Sequence, residues 1–184
     1  MSLLQLDARR LPIADGVVDL VVTDPPYGVM KFKKAIQRHK AKAISRYEAW
    51  DDLTLPQWQD LMLLSMREMY RVCREGATAY VFCSGDFVSY LREIAEYTSW
   101  KWRMPFYQKL TNPAPKVRVV TYQSAMQVCG VMIKGRRGTF NKTNGGRCHN
   151  FFEGPMPPGR SRSHPTQKSL KLMEQLILDA SNEG

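Results

Sequence analysis

An acid, two prolines and an aromatic close the apolar run Val17-Val18-Asp19-Leu20-Val21-Val22-Thr23-Asp24-Pro25-Pro26-Tyr27-Gly28. Asp24 offers a hydrogen-bond acceptor, and Tyr27 offers a ring that can stack. The β-branched run before them reads as a buried strand of a parallel sheet. Proline cannot continue a hydrogen-bond ladder, so two of them force the chain out at the strand's C-terminal edge. Open α/β sheets bind their ligands at that edge. Asp24 and Tyr27 are therefore expected on a stiff turn where a ligand would sit. The plain alternative is a strand-end turn with an incidental tyrosine.

A second group stands near the other end: His164-Pro165-Thr166-Gln167-Lys168, then Ser169 and an apolar pattern at Leu170, Met173, Leu176 and Ile177. That spacing predicts an amphipathic helix with Thr166 as its cap. Between the two groups lie the elements that must position them. Thr54-Leu55-Pro56-Gln57 reads as a helix start with a capping box, and Trp58, Leu61, Met62, Ser65, Met69, Val72 and Cys73 share one face. The Met-rich stripe reads as core, and Gly76 as the helix stop. Ala77 to Cys83 predicts a second strand, and Ser84-Gly85-Asp86 leads into a helix to about Tyr97. Trp100 to Gln108 and Ser124 to Ile133 predict further strands, and Leu3 to Leu6 a short first one ending at Asp7. Strand, crossover helix and strand in succession is the pattern of a parallel sheet.

The chain has 184 residues and a formal net charge of +10, enough length for one domain with a core and enough charge to favour a polyanionic partner. From Tyr97 to Met173 the only acid is Glu153, against fourteen Lys or Arg. Lys31 to Arg46 is a second basic stretch, carrying Lys31, Lys33, Lys34 and Arg38 with only a weak apolar face. It reads as a loop or marginal helix beside the site that nucleic-acid phosphates would order, or as a solvated basic loop. Residues 135–163 have loop composition, rich in Gly, Pro, Arg and Asn. Arg136, Arg137, Arg147, Arg160 and Arg162 in that span are candidates for phosphate or guanine contacts. Cys73, Cys83, Cys129 and Cys148 have no CxxC spacing and read as reduced thiols of a cytosolic protein. Cys148, His149 and His164 fit no zinc spacing. No stretch is long and apolar enough to span a membrane, and no signal-peptide core opens the chain.

Asp24-Pro25-Pro26-Tyr27 resembles the catalytic motif of the DNA amino-methyltransferases, which methylate the exocyclic amine of adenine or cytosine with S-adenosylmethionine. His164 to Lys168 resembles the family's His-Pro-Thr-Gln-Lys-Pro signature, with Ser169 in place of the last proline. Lys109-Leu110-Thr111-Asn112-Pro113-Ala114-Pro115 resembles its Trp-x-Lys-x-Asn-x-x-Pro segment, with Tyr107 where the tryptophan is expected. Gln127 stands where the family often has a glutamate. The order of the motifs matches the permuted β group.

The resemblance implies a partial Rossmann-like, S-adenosylmethionine-dependent methyltransferase fold: α/β, a mostly parallel sheet with flanking helices, one incomplete domain over 1–184. It implies catalytic roles for Asp24, Pro25, Pro26 and Tyr27. Asp24 and the Pro25 carbonyl would accept the two hydrogens of the target amine and localise its lone pair. Tyr27 would stack on a base flipped out of the duplex. Cofactor contacts fall on Asp7, Asp24, His164, Thr166, Lys168 and Ser169, and target recognition on the short basic region 135–163. Aspartate rather than serine before Pro-Pro-Tyr resembles the adenine enzymes, which implies N6 methylation. N4 methylation of cytosine is the alternative. The implied partner is double-stranded DNA, with a homodimer or a companion restriction endonuclease of a restriction-modification pair as further options, in the cytoplasm.

The family's next element would be a strand and a glycine-rich cofactor loop, Asp-Pro-Phe-x-Gly-Ser-Gly. This sequence reaches Ser181-Asn182-Glu183-Gly184 without it. Gly85, Gly135 to Gly138 and Gly145-Gly146 lack the strand-loop-helix context to replace it. The sequence therefore reads as a fragment, and a catalytically silent nucleic-acid-binding remnant is the rival reading. A methyltransferase for RNA or a protein amide is a third, weakened because those enzymes often carry Asn at the position of Asp24.

Overall fold

The computed structural model describes residues 4–28, 51–113, 122–143, 148–158, 164 and 167–183. Among these residues five strands and three α-helices follow one another: β1 (Val18–Thr23), α1 (Leu55–Val72), β2 (Cys73–Cys83), α2 (Val88–Tyr97), β3 (Lys101–Leu110), β4 (Met126–Ile133), β5 (Phe151–Gly154) and α3 (Leu170–Ala180). The strands form one sheet in the order β1-β2-β4-β3-β5. Pairing is parallel between β1 and β2 and between β3 and β5, and antiparallel where β4 lies between β2 and β3. The sheet is thus mixed, more so than the mostly parallel one expected. The insertion of β4 is the reason: it takes the hydrogen bonds of both neighbours in the reverse direction.

α1 forms for the expected reasons. The Thr54 hydroxyl accepts from the Gln57 N–H at 3.4 Å, and the Gln57 side chain accepts from the Thr54 N–H at 2.9 Å. Pro56 sits in the first turn. Trp58, Met62, Met66 and Met69 bury one stripe against the sheet, so the methionines are core. The Trp100 indole adds a bond to the Met66 carbonyl at 3.0 Å. The stop differs from expectation. Val72 runs straight into the extended Cys73, and Gly76 lies inside β2 at φ +85°. A Cβ there would stand 3.1 Å from the Arg137 carbonyl, so this glycine serves a close backbone approach and not a helix cap.

Ala77–Cys83 is buried throughout, as a central strand covered on both faces must be. α1 and α2 cover one face. α3 covers the other, through Leu172, Leu176 and Ala180 against Tyr80, Phe82, Phe106 and Cys129. The buried stripe of α3 is therefore rotated from the expected one: Leu170 is 75 % exposed and Ile177 47 %. The cap also moves, with Ser169 at the N-cap; Thr166 lies outside the described residues. No strand forms at 4–7, where Leu4 and Leu6 are exposed and have no neighbouring strand among the described residues. Conversely, Phe151–Gly154 is an edge strand inside the region read as loop. Among the described residues no helix is long and apolar enough to cross a membrane.

Candidate active site

The register fixes which residues share an end of the sheet. Thr23 pairs with Val81, Cys83 with Val128, and Tyr107 with the same Val128. Asp24 to Tyr27, Ser84 to Asp86, Gln108 and Gln127 therefore gather at one edge. Leu20 and Val22 of β1 face α3. Alternation carries Asp24 to that same face.

The turn after β1 is clamped. The Trp58 indole donates to the Pro26 carbonyl at 2.9 Å. One oxygen of Asp51, a buried residue, accepts from the backbone N–H groups of Tyr27 at 2.5 Å and Gly28 at 2.8 Å. Gly28 adopts φ +65°. A side chain there would be strained, and its Cβ would stand 3.4 Å from the Leu53 carbonyl. Among the described residues nothing donates to the Pro25 carbonyl, which leaves it as an acceptor.

Three side chains close a hydrogen-bonded triangle over this turn. The Tyr27 hydroxyl donates to Asp24 Oδ1 at 2.7 Å, and Lys168 Nζ donates to Asp24 Oδ2 at 2.6 Å and to the Tyr27 oxygen at 3.2 Å. The Lys168 side chain is only 7 % exposed, and its ammonium lies 4.9 Å from the centre of the Phe82 ring. Burial, reinforced by the Asp24 charge and hydrogen bond, holds the Tyr27 phenol far above its ordinary titration range, so it remains a neutral donor. Burial also pushes the Cys83 thiol up to about 12 and the Cys129 thiol well above its usual value. Neither is a thiolate at neutral pH, so sulfur supplies no anion here.

A cleft of about 700 Å³ opens beside the triangle, lined by Tyr27, Cys83, Ser84 to Phe87, Tyr107, Ser124 and Met126 to Val128. Its volume suits a planar ring between aromatic walls. Gln127 and the wholly buried Gln108 face each other across β4 and β3. Both amide atoms of Gln108 and the amide oxygen of Gln127 lack partners among the described residues. A second cavity, about 430 Å³, lies over the opposite half of the α3 face, among Tyr80, Arg103, Phe106, Phe140, His149 and Asp179. It holds none of the motif residues.

The structure brings Asp24, Pro25, Pro26, Tyr27 and Lys168 together, with Ser169 at the head of α3 beside them. Asp7 lies on an exposed loop. The Arg9 guanidinium and backbone N–H bind its carboxylate and hold it at about 2. Arg136 and Arg137 are not near the site. They follow Ile133, which pairs with Thr78 at the far end of β2, and they flank Glu75 there. Their distance from Asp24 follows from strand direction, because β4 runs away from that edge. Lys31, Lys33, Lys34, Arg38, Arg147, Arg160, Arg162 and Thr166 lie outside the described residues, and His164 is exposed. Sequence reading missed Asp51 and the Trp58 clamp. Its only signals were the acid pair Asp51-Asp52 and the indole leading the α1 stripe.

A family model described as DNA methylase matches residues 18–145. The Type II methyltransferase M.HpaI of Haemophilus parainfluenzae is 26 % identical over 198 residues, covering 94 % of this chain; the chain spans 56 % of that relative's length. The M1.HpyAVI–SAM complex superposes with a TM-score of 0.62 at 22 % identity, over 91 % of this chain and 68 % of the other. The PvuII DNA methyltransferase (cytosine-N4-specific) gives 0.68 at 14 % identity, over 93 % and 66 %. These two likenesses speak to the fold, which is that of a methyltransferase, and the matched model spans the motif strand and its neighbours through β4. The chain belongs to the N6/N4 DNA methylase family.

Proposed function

We propose that the protein takes part in methylating the exocyclic N6 amine of adenine in double-stranded DNA, with S-adenosylmethionine as donor. The observation that carries this is Asp24: a fixed carboxylate at a strand's C-terminal edge, beside an aromatic-walled cleft and next to an open carbonyl on Pro25. An ionised carboxylate has about four lone-pair sites. Tyr27 and Lys168 use one on each oxygen, so each oxygen keeps one to receive an amine hydrogen. An aromatic amine is a weak nucleophile because its lone pair is shared with the ring. Asp24 and the Pro25 carbonyl together hold its two hydrogens and localise that pair. As the nitrogen–carbon bond forms at the expense of the donor's sulfur–methyl bond, whose electron pair stays on sulfur, the amine must lose a proton, and Asp24 is the group placed to accept it. Tyr27 and Tyr107 wall the cleft in which the flipped base would stack.

The groups beside Asp24 suit the donor. The carboxylate complements a sulfonium, and the N-terminal end of α3 complements a carboxylate. Ser169 sits at that N-cap without a side-chain capping bond, so its hydroxyl is a candidate contact. His164 and Thr166 belong to the same segment, and Asp7 is proposed for the adenosine end. When bound, the cofactor supplies an electrophilic methyl group, and the protein supplies alignment and electrostatics. Aspartate at position 24 favours adenine. The PvuII enzyme's specificity keeps the N4 amine of cytosine as the alternative.

The test is product identity. The protein is incubated with labelled S-adenosylmethionine and unmethylated duplex DNA, and the DNA is digested to nucleosides. Label in N6-methyladenine is expected. Label in N4-methylcytosine would overturn the base assignment. No transfer by a protein that binds both cofactor and DNA would favour the silent DNA-binding reading.

A further inference from the structure

The proposed transfer needs an acceptor for the amine, but it does not by itself need a buried cation on that acceptor. Lys168 lies at the end of a segment expected to hold cofactor, yet its ammonium is already committed. It contacts Asp24 Oδ2 at 2.6 Å and the Tyr27 oxygen at 3.2 Å, and lies 4.9 Å from the centre of the Phe82 ring. With 7 % of its side chain exposed, little water can replace those partners. The geometry points to Lys168 as the positioning residue of the transfer site, not a cofactor ligand: it locks the Asp24 carboxylate and the Tyr27 ring into the one arrangement that leaves a lone pair on each Asp24 oxygen turned to the amine. This rests on the reading of Asp24 as the amine acceptor.

Three observations converge on that role. Asp24 is 31 % exposed and stands at the end of a strand, so without a second tether its carboxylate could rotate about its side-chain torsions. Tyr27 fixes only Oδ1. Lys168 fixes Oδ2 and, through the Tyr27 oxygen, the donor on the other side as well. The tether comes from 144 residues away in sequence, so it joins the turn after β1 to the segment that begins α3. A misplacement of about 1 Å in a reacting group can cost about 100-fold in rate.

The experiment compares Lys168→Met, which keeps length without charge, with Lys168→Arg, which keeps charge. Lys168→Met is expected to lower kcat about 100-fold while KM for S-adenosylmethionine and for DNA stays within about threefold. Lys168→Arg is expected to recover about tenfold of that loss. A loss carried by the cofactor KM would make Lys168 a cofactor ligand, and a kcat within about threefold of wild type would make it merely structural; either overturns the inference. A second readout needs no activity: thermal melting of Asp24→Asn, Lys168→Met and the double variant. Asp24→Asn alone leaves the ammonium buried without its anion, so the double variant is expected to melt above it. Additive melting shifts would show that Lys168 does not hold Asp24. A wild-type protein that transfers no methyl group defeats the proposed function, whereas the melting cycle still decides the Lys168–Asp24 bond.

Discussion

Two lysines at opposite ends of the sheet show how partner, not residue type, sets a role. Lys134 follows β4. Its ammonium donates to the carbonyls of Tyr70 and Cys73, both at 2.8 Å, and lies 4.4 Å from the centre of the Tyr70 ring. Those carbonyls belong to the last turn of α1 and the residue after it, where the helix leaves acceptors unsatisfied and its dipole favours a cation. Lys134 is thus a helix cap. Lys168 at the other end meets a carboxylate and a phenol, and the phenol's residue lines a cleft. Both lysines are hydrogen-bonded cations near an aromatic ring, but one satisfies backbone and the other orients side chains with free acceptor capacity.

The surroundings sharpen the contrast. At the Lys134 end charge is paired locally: the half-buried Arg71 bridges Glu68 and Asp15, and the exposed Arg74 pairs with Asp19. The exposed Arg74–Asp19 pair is solvated and contributes little, whereas Glu68 is held by both Arg71 and the Leu11 N–H. At the Asp24 end the lysine of the Lys168–Asp24 pair is withdrawn from water, and the thiols nearby are kept neutral by burial. Replacing residues at the two ends should therefore have different signatures.

The largest expected effect is at the clamp. Asp51→Ala removes the acceptor of two backbone N–H groups, which should cost about 2–3 kcal/mol in chemical denaturation. It should also lower methyl transfer per folded molecule, because Tyr27 loses its anchor. Full transfer in a destabilised variant would separate the turn from the site. Lys134→Met should cost about 1–2 kcal/mol by the same measurement and leave transfer per folded molecule unchanged. A loss of transfer there would erase the distinction between the two lysines.

Part of the acid limb of stability should trace to Glu68 at the Lys134 end. The Arg71 guanidinium holds the Glu68 carboxyl at about 2, below its ordinary 4.5. A depressed folded value stabilises above the unfolded value and is lost as pH falls. Melting temperature should therefore drop as pH goes from about 4.5 towards 2, and Glu68→Gln should flatten that drop. An unchanged slope would assign the acid sensitivity elsewhere. The smallest effect is expected at Gln108→Leu. Its amide atoms have no partners among the described residues, so an apolar side chain of similar size should leave stability unchanged or raise it by about 1 kcal/mol.

The sequence carried the site's local parts and not its long-range ones. Asp24 to Tyr27 was legible because two prolines after an apolar run have few ways to go. α1 was legible because its capping box is written in four consecutive residues. Gly76 misled, since a glycine after a helical stripe looks the same whether it caps the helix or makes room for a neighbouring carbonyl. β5 was hidden because a four-residue edge strand among glycines and prolines has no periodicity to read. The apolar stripe of α3 was off by one position, as the pattern around Leu170 to Ile177 allows two faces. That Arg136 and Arg137 stand far from Asp24 depends on the direction of β4, which no local pattern gives. The Lys168–Asp24 bond, across 144 residues, depends on topology that no local pattern encodes.

The most direct measurement of the central claim is single-turnover methyl transfer to duplex DNA by the wild-type protein and by Asp24→Asn, each shown to be folded and to bind S-adenosylmethionine. The account expects wild-type transfer to an exocyclic amine and a loss of about 1,000-fold or more in the variant, with cofactor binding retained. Transfer by Asp24→Asn at a rate near wild type would contradict it, and the acceptor of the amine would have to be sought elsewhere in the cleft.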